Sequence, residues 1–403
     1  MSQLPAIVQR EKPRETEPEC PPIVRIQKLI FDEAFAADAS DVHIEPGQNS
    51  TRVRCRIDGL LKQTLEIPRW MHDNLVVRIK ILARLDISER RLPQDGHIHG
   101  DANGADIRVS TLLTRWGEKV VIRVLRRGRA SMALAQLGFG PAVEDRLQAL
   151  IRQPQGILLV VGPTGSGKTT TLYALINEIR NEPLNIVTIE DPIEYEVDGI
   201  SQVQVNERAG LTFAKTLRSI LRQDPDVILV GEIRDAETAT TAFHAAMTGH
   251  LVLSTLHATD SVSALLRLSE LGIERSLMSS AIVGIAAQRL VRLNCRTCAE
   301  PEFPRPIYLE RLGIDAMDQH KLRRSAGCPA CKSTGIGGRR AVFELLEMSR
   351  RIRESLASGS ELEIGDAARE AGFVSITDQA VELALAGKVA AHEVYRSCYF
   401  GGE

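Results

Sequence analysis

The chain has 403 residues, a formal net charge of −2, and 43% hydrophobic and 25% charged residues. That length exceeds one ordinary core and suits two or three domains of a soluble globular protein. No apolar run nears the roughly 20 residues needed to cross a bilayer, and the near-neutral balance gives no global reason for nucleic-acid binding. The N-terminal Met-Ser-Gln-Leu-Pro-Ala lacks a charged-then-apolar export pattern, so a cytoplasmic location is expected.

Residues 1–22 hold Pro5, Pro13, Pro18, Pro21 and Pro22 among many charges and read as a disordered tail. A first domain is expected over 23–127. It opens with an amphipathic helix presenting Ile26, Leu29, Ile30 and Phe35, followed by strand-like stretches at 51–58 and 60–67. A helix near 69–85 and two further strands, 105–114 and 118–125, complete a small α+β unit. A linker is read at 128–134. From 135 onward, apolar strands at 156–161, 185–190, 226–230 and 250–256 alternate with helix-length segments. That alternation implies an α/β fold with a mostly parallel sheet, its chemistry gathered at the C-terminal strand ends. A cysteine-bearing element (291–340) and a helical tail (341–403) close the second domain, 135–403.

The strongest local motif follows the strand at 156–161. Gly162, Pro163, Thr164, Gly165, Ser166, Gly167, Lys168 and Thr169, continued by Thr170, form a complete G-x-x-x-x-G-K-[ST] phosphate loop between a strand and a helix. Its glycines let backbone N–H groups close on phosphate, Lys168 reaches the β- and γ-phosphates, and Thr169 ligates Mg²⁺. Three later strand ends carry further candidates. Glu190, Asp191 and Glu194 surround Pro192, which turns them toward the nucleotide edge; the bland reading is an acidic, solvated turn. Glu232 follows the strand at 226–230, with Gly231 where many phosphate-loop ATPases place a second acid; it either holds the metal's water shell and orients the attacking water or is a structural carboxylate. His257 stands beyond the strand at 250–256 as a γ-phosphate sensor, with His250 a weaker candidate. Strand-borne Arg108 and Arg123 stand out among Arg90, Arg91, Arg115, Arg218 and Arg222 as side chains able to reach a neighbouring subunit's phosphates. Cys295, Cys298, Cys328 and Cys331 make two C-x-x-C pairs, the donor set of a closed tetrahedral Zn²⁺ site.

Together these stretches closely resemble the secretion ATPases of type II secretion and type IV pilus assembly systems. The words that carry the resemblance are Ser-Asp-Val-His-Ile-Glu-Pro (40–46), Arg-Leu-Pro-Gln-Asp-Gly (91–96), the loop at 162–173, Leu-Arg-Ser-Ile-Leu-Arg-Gln-Asp-Pro-Asp (217–226) and Gly-Glu-Ile-Arg-Asp (231–235). The resemblance implies a PAS-like N-terminal domain and a RecA-like ATPase domain in a homo-hexameric motor. It also implies work at the cytoplasmic face of the inner membrane, through a platform protein and without direct nucleic-acid contact. It makes Glu194 the base, Glu232 the Walker B acid, and His250 and His257 the His box, and it supports Arg108 and Arg123 as arginines completing the site. It associates the four-cysteine element with assembly rather than retraction. His97 stands where the family often has arginine, and Ala258 and Thr259 replace the usual middle pair of the His box. Only about 22 residues precede the first domain, so a form without the family's extra N-terminal docking domain is expected. A retraction ATPase, a nucleic-acid-translocating RecA-like hexamer and an inert nucleotide-gated scaffold are the alternatives.

Overall fold

A computed structural model of the chain describes residues 21–98, 106–125, 132–358 and 361–399. The tail expected over 1–22 lies outside these residues except for its last two, and so does most of the linker expected over 128–134. The chain divides into two compact units, Met1–Arg126 and Arg127–Glu403. All counts below are of the described residues.

The first unit lays two helices, α1 (Pro22–Ala36) and α2 (His72–Leu82), on a six-stranded antiparallel sheet. Its strands are β1 (Asp41–Pro46), β2 (Ser50–Ile57), β3 (Leu60–Pro68), β4 (Gln94–Ile98), β5 (Asp106–Thr114) and β6 (Gly117–Leu125), in the order β3-β2-β1-β6-β5-β4. Period-two alternation sets the faces. Ile107, Val109, Val120 and Ile122 bury against Ile30, Phe31, Leu75 and Ile79 of the helices, whereas Arg108 and Arg123 belong to the opposite face. In α1, Ile30 is buried as expected and Ile26 and Phe35 pack against the same core, but Leu29 is exposed, and Gln27, Phe31 and Ala34 complete the buried face. β1 and β4 were not expected as strands. β1 alternates charged Asp41 and Glu45 with its apolar residues, and β4 has the turn-like composition Gln-Asp-Gly. Gly96 is required there, because a Cβ would come within 2.5 Å of the Ala83 carbonyl.

The second unit is built on a seven-stranded sheet, order β15-β12-β7-β11-β10-β8-β9. Its elements are α3 (Pro141–Leu150), β7 (Gly156–Val161), α4 (Lys168–Ile179), β8 (Ile186–Glu190), β9 (Ser201–Gln204), α5 (Phe213–Ile220), β10 (Val227–Val230), α6 (Ala236–Met247), β11 (Leu251–Leu256), α7 (Ser261–Glu270), α8 (Arg275–Ala281) and β12 (Ile282–Asn294). Then come β13 (Ala299–Pro301), α9 (Pro306–Leu312), β14 (Arg323–Ser325), β15 (Ile336–Glu347), α10 (Arg350–Ser358), α11 (Glu361–Glu370), α12 (Ile376–Leu385) and α13 (Ala391–Cys398). All pairings are parallel except β12 with β15. β7 shows why these strands read as continuous apolar runs: Ile157, Leu159 and Val161 join one core, Leu158 and Val160 the other. The tail expected to be helical from 341 begins as strand β15 and becomes helical at Arg350. β12 and β15 escaped the sequence reading because their small and polar residues find partners far along the chain.

Candidate functional site

Four strand ends meet on one edge of the second sheet: β7, β11, β10 and β8. After β7 the backbone turns through the phosphate loop into α4. Gly162, Gly165 and Gly167 have φ of 150°, 79° and 94°, conformations that a side chain makes costly. Gly162 is doubly constrained, since a Cβ would lie 2.5 Å from the Gln288 carbonyl. Pro163, Thr164, Gly165 and Thr169 are exposed on the rim, Thr170 is half-buried, and Ser166 is buried beneath it. Lys168 is also buried, its Nζ donating to the Gly162 and Pro163 carbonyls at 2.9 and 3.1 Å. Burial lowers its pKa, opposed by nearby Glu232 and assisted by Arg289. A glycine-lined rim on a helix N-terminus, with a lysine held at its base, has the donor chemistry for a polyphosphate.

Glu232 is positioned by its flanking residues. Gly231 N–H donates to Ile189 O at 2.8 Å, and Ile233 N–H to Thr255 O at 2.9 Å. A side chain on Gly231 would press on Ile189 O at 3.1 Å, a local reason for glycine in the acid's place. The Glu232 carboxylate pairs with Arg234, and His257 Nε2 lies 3.6 Å from its other oxygen. Arg234 also approaches Asp191 at 3.9 Å, and its pKa is raised chiefly by the bond to Glu232. The sequence reading quoted Arg234 but gave it no role; the turn after β10 supplies one.

The acidic stretch after β8 divides. Glu190 is buried and does not turn to the nucleotide edge: it accepts from Tyr173 Oη at 2.5 Å, Thr188 Oγ1 at 2.6 Å and Gln202 Nε2 at 3.2 Å. Glu194 is half-buried. Burial and the neighbouring Glu190 carboxylate push the Tyr173 phenol pKa upward, with a smaller push from Glu194. His250 is tied locally, its Nδ1 3.0 Å from Ala245 O at the end of α6. Two residues missed in the sequence lie on β12. Gln288 Nε2 donates to Ser166 O at 2.8 Å, and Arg289 Nη2 donates to Thr259 O at 2.6 Å.

In the first unit His97 pairs with Arg108, Arg108 with Arg123, Arg123 with Asp41 and Asp41 with Arg56 across five strands, making one charged row. Arg123 Nε bonds Asp41 at 3.1 Å, and His97, Arg108 and Arg123 line a cleft of about 250 Å³. Arg218 pairs with Glu237, and Arg91 with Glu89.

Cys295, Cys298, Cys328 and Cys331 have their sulfurs within 4.8 Å of one another, with three pairs at 3.8–3.9 Å. Tetrahedral zinc with bonds of about 2.3 Å sets its sulfurs about 3.8 Å apart, so the residues fit that ion. The N–H groups of Cys328 and Gly335 donate to Cys331 Sγ at 3.1 and 3.2 Å and, led by Cys328, hold its thiol down at about 6. A thiolate is thus favoured before any ion arrives.

The family described as "Type II/IV secretion system protein" matches residues 16–396. The type II secretion system protein HxcR of Pseudomonas aeruginosa is 45% identical over 378 residues, 93% of this chain and 77% of the relative. The type IV pilus assembly ATPase PilB of Thermus thermophilus is 44% identical over 372 residues, 91% of this chain; the chain spans only 42% of that relative's length. Among solved structures, the pilus retraction motor PilT with bound ADP is similar at a TM-score of 0.63 and 26% identity, over 92% of this chain and 96% of that one.

Proposed function

The chain belongs to the type II/IV secretion system protein family, and from that premise we propose that it is an ATP-hydrolysing motor for type II secretion or type IV pilus assembly. The observation that carries this reading is the convergence of the phosphate loop, Lys168, Glu232 and His257 on one sheet edge. Lys168 leaves the loop carbonyls to reach the β- and γ-phosphates, and loop N–H groups take the remaining oxygens. Mg²⁺, when bound at Thr169, supplies charge neutralisation between the β- and γ-phosphates. Glu232 orients the water shell, with Arg234 holding its carboxylate, and His257 senses the γ-phosphate from the neighbouring strand end. Glu194 is the base for the attacking water, while Glu190 keeps that turn in place through its three bonds. Arg108 and Arg123 complete the site from the first unit.

In this reading residues 23–127 are a PAS-like domain and 135–403 a RecA-like domain joined by a linker at 128–134, with zinc held by the four thiolates as a structural ion. The motor works as a homo-hexamer in the cytoplasm, against an inner-membrane platform protein and without direct nucleic-acid contact. Among the described residues no helix is long and apolar enough to cross a membrane. The test is steady-state ATPase activity of the full chain and of Lys168→Ala. The variant is expected to lose at least about a hundredfold in kcat, since it removes charge stabilisation at the transferring phosphoryl. Unchanged turnover in Lys168→Ala overturns the assignment.

A further inference from the structure

The middle of β12, just past the end of its pairing with β7, touches the phosphate loop on one face of the sheet and the segment after β11 on the other. Side chains alternate along a strand, so Gln288 and Arg289 point to opposite faces. Gln288 follows the α4 face, where Thr171 Oγ1 donates to its Oε1 at 2.7 Å while its Nε2 donates to Ser166 O. Its own carbonyl closes on Gly162 so tightly that no Cβ fits. Arg289 takes the other face, where its Nη2 donates to the Thr259 carbonyl at 2.6 Å, in the segment between β11 and α7. Both side chains are buried, Gln288 at 2% and Arg289 at 6% exposure. On the neighbouring β15, buried Glu344 accepts from Ser261 N–H at 2.7 Å and Ile376 N–H at 3.1 Å, the first turns of α7 and α12. The titratable groups facing Arg289 are Cys398, Glu344 and Asp260, together with Lys168 of the phosphate loop.

We infer that Gln288 and Arg289 are positioning residues that couple occupancy of the phosphate loop to the placement of residues 257–260, and through Ser261 to α7. This rests on the nucleotide reading above and deepens it. A phosphate that draws the loop closed displaces Ser166 and Gly162. Gln288 cannot stay behind, because it is bonded to one and packed on the other. The peptide that carries Gln288 also carries Arg289; both residues pair with β15, and the pairing of β12 with β7 ends one residue earlier, at Ala287. The movement therefore arrives at the Thr259 carbonyl, and with it at His257.

The experiment is hydrogen exchange of the full chain with and without a non-hydrolysable ATP analogue, alongside steady-state kinetics. In the wild type the analogue protects both 162–170 and 257–261. In Arg289→Ala, protection of 162–170 and analogue affinity stay within about threefold of wild type, protection of 257–261 is lost, and kcat falls about tenfold or more with little change in KM. Arg289→Lys, which keeps one donor, regains part of both. Should Arg289→Ala fail to fold, Arg289→Met keeps the buried stem and is read the same way. Arg289→Ala that keeps protection at 257–261 and full kcat overturns the coupling. So does a folded variant that loses analogue binding, which makes Arg289 a binding residue instead. Wild-type protein that neither binds the analogue nor hydrolyses ATP overturns the nucleotide reading itself, a result distinct from either.

Discussion

Glu45 shows how a single side chain ties the first unit to pH. Burial pushes its carboxyl pKa up, but Arg54 at 2.7 Å and Lys119 at 2.9 Å more than offset this and hold it at about 2, below the ordinary 4.5. A depressed folded-state pKa contributes stability that is fully present above about 4.5 and is lost as pH falls toward 2. Glu45→Gln is therefore expected to be less stable at pH 7, by about 1 kcal/mol for a partly screened pair, and to have a flatter stability profile between pH 4.5 and 2. The chain carries its two tryptophans, Trp70 and Trp116, in this unit alone, so tryptophan fluorescence follows its unfolding separately from the second unit. A variant with the wild-type slope across that window would remove Glu45 from the acid response. The same scale explains Gly231. Where an acid stands in many phosphate-loop ATPases, a Cβ here would lie 3.1 Å from Ile189 O, so a side chain needs that carbonyl to give by a few tenths of an ångström, and Glu232 is the first acid after β10.

At the scale of elements, the four-cysteine group is the closing loop of a long antiparallel pair. Cys295 and Cys298 directly follow β12, and Cys328 and Cys331 precede β15, so the separation between the pairs is the length of chain needed to fold β13, α9 and β14 between two strand ends. The lobe has a second anchor. Leu312, Ile314 and Leu322 join the main core, and Asn294 Nδ2 donates to Arg323 O at 2.9 Å and Gly387 O at 3.0 Å. Removing the ion should thus loosen the lobe without dissolving the sheet. Cys331→Ser or chelation is expected to abolish binding of about one zinc per chain and raise hydrogen exchange at 295–335. Exchange at 282–292 and nucleotide affinity should stay near wild type. Loss of analogue binding on chelation would show that the lobe supports the phosphate loop after all. Legibility from sequence follows the same division between local and distant causes. The phosphate loop was readable because its glycines answer to their own φ angles. β7, β8, β10 and β11 were readable because both faces are buried and their residues are mostly apolar. The four cysteines were readable from spacing alone. Gln288, Arg289 and Glu344 were not, since each is a polar residue whose partner comes from another element: Ser166 of the phosphate loop for Gln288, the segment after β11 for Arg289 and the start of α7 for Glu344. Glu190 was misread for the same cause: its donors Tyr173 and Gln202 come from α4 and β9.

At the scale of the whole molecule, the question is which chain supplies each part of the site. Lys168 and Glu232 belong to the second unit, and the row His97, Arg108, Arg123 belongs to the first. Arg123 is held by Asp41, so the row is set by its own sheet before it meets any phosphate, as preorganised charge stabilisation requires. A ring repeats one head-to-tail contact, and each arginine row then serves a single nucleotide. If that nucleotide is bound by a neighbouring subunit, two inactive variants can rescue one another. Lys168→Ala lacks the phosphate grip but keeps its arginines; the double variant Arg108→Ala, Arg123→Ala keeps the grip and lacks the arginines. Each alone is expected to turn over at least about a hundredfold more slowly than wild type. In equal mixtures reassembled from monomers, about a quarter of sites would combine an intact loop with an intact neighbouring row, by random pairing around the ring. ATPase activity should then return toward that fraction of wild type. If the arginines act on the nucleotide of their own chain, no mixed ring contains a complete site, and the mixture stays as inactive as its components.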